Sequence, residues 1–163
     1  MCFTGHRELN GCEAELSPLL DRVLQRLYEQ GYRRFWNGAA LGFDQLAAEA
    51  VLRLRARHSD VQLLMAVPCE SQSRRWSQEQ CLRYERILAE ADECRVLSKH
   101  YYNGCMNVRN RFMVDRSSVC VCYLNQPKGG TMSTVAYAVS KQLASVNLAD
   151  ELQYRRFLAT QAV

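Results

Sequence analysis

Residues 118–143 read SVCVCYLNQPKGGTMSTVAYAVSKQL, and a change of period inside this stretch decides the fold. Residues 119–124 are six consecutive apolar side chains, the pattern of a strand buried on both faces of a parallel sheet. Asn125-Gln126-Pro127-Lys128-Gly129-Gly130 breaks the run. Val135, Ala138, Val139 and Leu143 then recur on one helical face, with Thr131, Ser133 and Thr134 in or near the first turn. A strand therefore feeds a glycine turn that opens a helix. Unpaired N–H groups at a helix start attract an anion, phosphate first among them, and paired glycines let a ligand approach the backbone closely. The same glycines also serve as a plain tight turn, so both readings stay open on this stretch alone.

The pattern repeats upstream. Phe3-Thr4 runs into Gly5-His6-Arg7, a first strand ending in a glycine and two anion-capable side chains. Arginine matches phosphate with a planar fork of donors, and His6 can donate a hydrogen bond or serve as general acid or base. Leu16, Leu19, Leu20, Val23, Leu24 and Leu27 make an amphipathic helix, with Ser17-Pro18 near its start and Gly31 at its stop. Residues 33–36 form a second strand that ends in Gly38-Ala39-Ala40-Leu41-Gly42-Phe43-Asp44. Asp44 stands there either as the N-cap of the next helix, the commoner role, or as an acceptor for a ribose or base; Glu49 one turn on has the second option too.

Residues 61–67 form a third strand, stopped by Pro68. After Cys69-Glu70-Ser71-Gln72-Ser73 comes a helix carrying Trp76, Tyr84, Ile87, Leu88 and Ala91, with Trp76 assigned to the core or to a cleft wall. A short strand at 94–97 and a loop at 98–104 lead to helical residues 106–115. That segment sets Arg109, Asn110 and Asp115 among Met106, Phe112, Met113 and Val114, just before the most buried strand. Buried charge needs partners, so Arg109 is either a binding residue or, with Arg116, an internal partner of Asp115. Residues 145–148 supply a sixth strand, and 150–163 a last helix or a tail. Alternating strands and helices with short connections specify an α/β, Rossmann-like, doubly wound and mainly parallel sheet with helices on both faces, as one domain over 1–163. Neither G-x-G-x-x-G after the first strand nor G-x-x-x-x-G-K-[ST] is present, so neither ordinary dinucleotide binding nor a P-loop is supported.

Composition narrows the class. A chain of 163 residues with 48% hydrophobic and 23% charged side chains can bury a core without staples, and no run approaches a membrane span. No signal peptide is visible, so a cytoplasmic location is expected, although the brevity of the first strand suggests residues before Met1 in a longer natural strand. The eight cysteines lie within strands and helices and read as reduced thiols packed as small hydrophobes; no metal site is expected. A net charge of +4, with Arg33-Arg34, Arg74-Arg75 and Arg155-Arg156 as scattered pairs, permits an anionic ligand and ranks nucleic acid last among partners.

Cys2-Phe3-Thr4-Gly5-His6-Arg7, the Gly38 to Asp44 loop, Trp76 with Tyr84, Arg109-Asn110 with Met113-Val114-Asp115, and Gly129-Gly130-Thr131 with Thr134 and Tyr137-Ala138 together resemble the YpsA family. That family is part of the SLOG superfamily of Rossmann-like domains, with DNA-processing protein A and the Lonely Guy phosphoribohydrolases. The resemblance implies a bacterial cytoplasmic protein that takes a small nucleotide or nucleotide-derived ligand, with no further cofactor assigned, and it leaves a homodimer open. Two departures stand out. Ala39 occupies the second place of a glycine pair common in relatives. Thr134 aligns with the glutamate of the phosphoribohydrolase G-G-x-G-T-x-x-E, and a threonine supplies neither charge stabilisation nor water activation at neutral pH.

Binding or sensing is therefore the first expectation. Gly129, Gly130, Thr131 and Thr134, beside Lys128, hold phosphate; Arg7 and Arg109 neutralise its charge; Gly5, His6, Gly38, Gly42, Asp44 and Asn110 border the rest of the ligand. A hydrolase or transferase acting on an N-glycosidic or phosphate bond, with His6 as acid or base, is second. Single-stranded nucleic-acid binding is third.

Overall fold

A computed structural model describes residues 1–160. Six strands and six helices alternate: β1 Cys2–Gly5, α1 Glu13–Glu29, β2 Arg34–Asn37, α2 Phe43–Arg57, β3 Gln62–Val67, α3 Gln78–Ala89, β4 Glu93–Val96, α4 Cys105–Val114, β5 Val119–Tyr123, α5 Gly129–Ser140, β6 Ala144–Asn147 and α6 Glu151–Ala159. The sheet order is β4-β3-β2-β1-β5-β6 and every pair is parallel. The winding reverses between β1 and β5, which is where open α/β sheets place their ligand crevice.

Both faces of the central strands are covered, and this is why their sequences are continuously apolar. Neighbouring residues point to opposite cores. Phe3, Phe35, Leu63 and Val121 enter the larger core with Leu20 and Leu24 of α1 and Phe43 and Leu54 of α2. Cys2, Trp36, Leu64, Cys120 and Cys122 enter the smaller one, under Met113 and Val114 of α4 and Ala138 of α5. The small thiols of β1 and β5 leave room for those two helices. Cys94 departs from the expected packing, since it is exposed on the edge strand β4.

Other boundaries differ for identifiable reasons. α1 begins at Glu13, so Pro18 lies inside it; the missing N–H costs one helical bond, and the buried Leu16, Leu20, Val23, Leu24 and Leu27 face offsets the loss. Trp76 precedes α3, because Ser77 and Gln80 form a capping box that sets the helix start. Asp150 caps α6 by accepting from the Gln153 amide, so the last segment is a helix through Ala159; residues 161–163 of that expectation lie outside the described residues. Among the described residues no helix is long and apolar enough to cross a membrane.

Candidate functional site

At the switch point Gly5 pairs in register with Tyr123, and the His6 amide donates to the Tyr123 carbonyl at 3.4 Å. The His6 carbonyl accepts from the Phe43 amide at 3.2 Å, so the first loop rests on the start of α2. The Phe43 and Tyr123 rings stack with centroids 6.0 Å apart. His6 Nε2 is buried with no hydrogen-bond partner among the described residues.

The glycines divide into two groups. A Cβ on Gly5 would overlap the Phe43 side chain, one on Gly38 would overlap the Arg109 guanidinium, and one on Gly42, at φ +77°, would overlap the Arg7 carbonyl. At these three the absence of a side chain admits protein closely, whatever ligand they border. Gly129 and Gly130 are different. No atom lies within 4 Å of a Cβ built on either, both are exposed, and the N-cap of α5, Lys128, makes no side-chain cap bond. The first N–H groups of α5 are therefore available to an anion.

A buried polar chain runs beneath these loops. Arg109, 4% exposed, donates through Nη1 to the Gly38 carbonyl and through Nε to Asn110 Oδ1 at 2.6 Å. Asn110 Nδ2 donates to Thr134 Oγ1 at 2.8 Å, and the Thr134 hydroxyl donates to the Gly130 carbonyl at 2.7 Å. The chain thus joins the β2–α2 loop to the first turn of α5. Arg109, Asn110 and Thr134 are brought together as expected, but as one another's partners; they hold the crevice floor in place. Thr131, also buried, lies in the same turn, and Lys128 is exposed at its edge.

Asp44 joins this foundation. It is not a cap: the N-cap of α2 is Gly42, with no side-chain cap bond. Its carboxylate is buried 4.0 Å from Arg109 Nη1, while its backbone carbonyl accepts from Asn37 Nδ2 at 2.7 Å. Arg109 therefore faces Asp44 and not Asp115, which accepts from the Tyr137 hydroxyl at 2.8 Å and sits 3.8 Å from Lys141. Glu49 is likewise no ligand acceptor, being held bidentately by Arg83 at 2.7 and 2.8 Å.

Burial raises the Asp44 pKa from 3.8 to about 6, against the pull of the Arg109 charge, the Ala40 amide and the Arg7 charge. Four ångströms is a loose pairing, so loss of water outweighs attraction. Burial also lowers the Arg109 pKa, opposed by Asp44 and reinforced by Arg7. Because the folded pKa of Asp44 exceeds its unfolded value, folding takes up a proton between the two. The group's contribution to stability is highest below about pH 4 and falls as pH rises through about 6, by on the order of 3 kcal/mol. Asp44→Asn is expected to remove that slope, giving a flatter profile in urea unfolding between those limits; superimposable profiles would contradict the assignment.

Beside the switch point lies a cavity of about 720 Å³ lined by Arg7, Ser71, Gln72, Arg74, Arg75, Trp76, Tyr101 and Met106. Three arginines line it, and among the described residues no aspartate or glutamate does. Trp76 is both core and wall, packing edge-on to Tyr84 at 5.2 Å while lining the cavity. Of the lining residues, only Arg7 and, as a cleft wall, Trp76 were expected from sequence. The signal for the others was the polar loop after the third strand, with Arg74-Arg75 next to a tryptophan; adjacency alone did not show that this loop folds back towards Arg7.

Comparison with known proteins bears on this site. The YpsA family model, the YspA SLOG family, matches residues 13–153. The uncharacterized SPbeta prophage-derived protein YoqJ of Bacillus subtilis (strain 168) is 31% identical over 132 residues, covering 74% of this chain and 77% of YoqJ. A UPF0398 protein of Halalkalibacterium halodurans is 29% identical over 120 residues, covering 72% of this chain and 64% of that protein. Among solved structures, DNA processing protein A of Streptococcus pneumoniae superposes with a TM-score of 0.64 at 14% identity, over 90% of this chain and 48% of that one. The Helicobacter pylori protein of the same name, described for its single-stranded DNA binding mode, gives 0.66 at 21% identity, over 93% of this chain and 65% of that one. At these identities the solved structures establish the Rossmann-like fold, and this chain spans about half to two-thirds of their length.

Proposed function

The chain belongs to the YspA SLOG family, and from that membership and the crevice geometry we propose that it binds or senses a nucleotide or nucleotide-derived phosphorylated ligand at the carboxyl ends of its parallel strands. The observation that carries the reading is the convergence of Arg7, Arg74 and Arg75 on one cavity that, among the described residues, no aspartate or glutamate lines. Like charges gathered without counter-charge repel one another, and an anion relieves that repulsion. The open, uncapped start of α5 at Gly129 and Gly130 supplies N–H donors on the other side of Arg7's strand. The reading is one of binding and not of turnover: Thr134 stands at the position of the phosphoribohydrolase glutamate, and its hydroxyl is engaged by Asn110 and Gly130.

Calorimetric titration with nucleoside mono- and diphosphates, dinucleotides and ADP-ribose tests the proposal. Arg7→Ala is expected to weaken the tightest of them by at least about tenfold, the value of a charge-assisted hydrogen bond. An unchanged affinity for every compound would count against the assignment.

A second reading, single-stranded nucleic-acid binding, is favoured by the likeness to a DNA processing protein A described for that activity. Tyr101, 63% exposed, stands with the arginines in the pairing of stacking platform and phosphate contact that single strands use. The two readings separate on length and salt. Affinity that rises with oligonucleotide length and falls steeply with salt favours the strand; affinity already complete for a mononucleotide favours the small ligand.

A further inference from the structure

The cavity between the β3–α3 and β4–α4 loops contains one buried side chain whose hydrogen bonding is incomplete. Gln72 is 8% exposed and lines the cavity. Its Nε2 donates to the Gly38 carbonyl at 3.2 Å and the Ala39 carbonyl at 3.3 Å. Two carbonyl acceptors fix which end of the amide is nitrogen, since the flipped amide would set oxygen against oxygen. The other end, Oε1, is buried and has no partner among the described residues. An unpaired buried acceptor is costly, and a ligand N–H or O–H removes the cost.

The neighbours of Gln72 narrow the ligand. Trp76, held edge-on by Tyr84, and Tyr101 offer aromatic surface, and Arg74 and Arg75 offer cationic forks, all facing the same space. Aromatic surface takes a planar ring and guanidinium takes phosphate. We propose that this cavity is a base-reading subsite for a nucleoside phosphate, in which Gln72 Oε1 accepts an N–H from the edge of the base. The base lies against Trp76, and its phosphate is met by Arg74 and Arg75. This deepens the nucleotide-binding reading and rests on it. Selectivity follows from the acceptor: every common base carries an N–H on its edge, and a base without one leaves Oε1 unpaired.

The test uses the full chain and the fluorescence of Trp76. The other tryptophan, Trp36, is buried under α4 against Phe112, and a Trp76→Phe variant identifies which of the two responds. The probes are AMP, GMP, CMP and UMP, together with purine riboside 5′-monophosphate, whose base has no N–H, and ribose 5-phosphate, which has no base. At least one natural nucleotide is expected to quench Trp76 and to bind about tenfold more tightly than purine riboside 5′-monophosphate. Ribose 5-phosphate is expected to leave the fluorescence unchanged.

Gln72→Met also removes the Nε2 bonds to the Gly38 and Ala39 carbonyls, so the readout is the ratio: the about tenfold preference for that nucleotide over purine riboside 5′-monophosphate is expected to vanish. A purely structural role for Gln72 would weaken both alike and would overturn the assignment. Arg74→Ala and Arg75→Ala, both at exposed positions, are expected to weaken all phosphorylated probes. Nucleotide binding that depends on Arg7 but neither quenches Trp76 nor responds to Arg74 or Arg75 would overturn this subsite and leave the broader reading standing. Absence of binding by any nucleotide would overturn both.

Discussion

Arg109→Met is expected to destabilise the protein by about 3–5 kcal/mol, the usual cost of removing one member of a buried charged pair. The guanidinium bonds the Gly38 carbonyl and the half-buried Asn110 and lies 4.0 Å from the Asp44 carboxylate, with Arg109 and Asp44 themselves buried. Methionine fills part of the volume but donates nothing. The Gly38 carbonyl keeps its bond from Gln72, so the main loss falls on Asp44 and Asn110. Asp44 already titrates near 6, and loss of the arginine charge raises it further, so at neutral pH the carboxyl takes a proton and escapes part of the penalty. The destabilisation is therefore expected to be larger at about pH 8 than at about pH 5. Urea unfolding at the two values checks both size and slope, and a loss below about 1 kcal/mol at either would contradict a structural role for the pair.

Gly42→Ala is the second large effect. Gly42 sits at φ +77°, ψ −120°, outside the left-handed helical region, where an L side chain costs about 1–3 kcal/mol, and its Cβ would overlap the Arg7 carbonyl. A backbone group cannot swing aside as a side-chain tip can. Either the loop carrying His6 and Arg7 lifts away from α2, or the fold takes the strain; a combined loss of about 3 kcal/mol is expected, with weakened ligand affinity in whatever remains folded. Gly130→Ala is the contrast. Its Cβ enters open space at the start of α5, so thermal unfolding is expected to change little, and alanine's better helix propensity acts in its favour. The added methyl projects where a bound anion would approach, so affinity falls without stability. Equal melting temperatures for the two variants would dissolve the distinction between packing glycines and open ones.

These contrasts show what the sequence could convey. The strands were legible because a parallel sheet covered on both faces requires continuous apolar runs, and β5 has one. Gly129 and Gly130 were legible as a strand-to-helix turn for the same reason. The partners of buried charges were not. Asp44 has the residue type and place of an N-cap, and only the folding of α4 over the β2–α2 loop brings Arg109 against it. Gly38 and Gly42 look like ligand glycines in one dimension; a close backbone approach to Arg109 or Arg7 leaves the same mark on the sequence as approach to a phosphate. Arg74 and Arg75 read as one of several scattered pairs because their place beside Arg7 arises from strands β1 and β3, which are separated by β2. Ala39 keeps a left-handed backbone, φ +50°, without being glycine, and it does so with its amide held by Asn37 Oδ1 at 2.7 Å and its carbonyl held by Gln72.

The most direct test is a proton–nitrogen NMR titration of isotope-labelled protein with the nucleotide that binds most tightly by calorimetry. The amides of Arg7, Gly129, Gly130 and Thr131, and the indole N–H of Trp76, are expected to shift together and to saturate with one dissociation constant. Shifts confined to residues away from the carboxyl ends of β1, β3 and β5, or no shift at saturating nucleotide, would contradict a nucleotide site in this crevice.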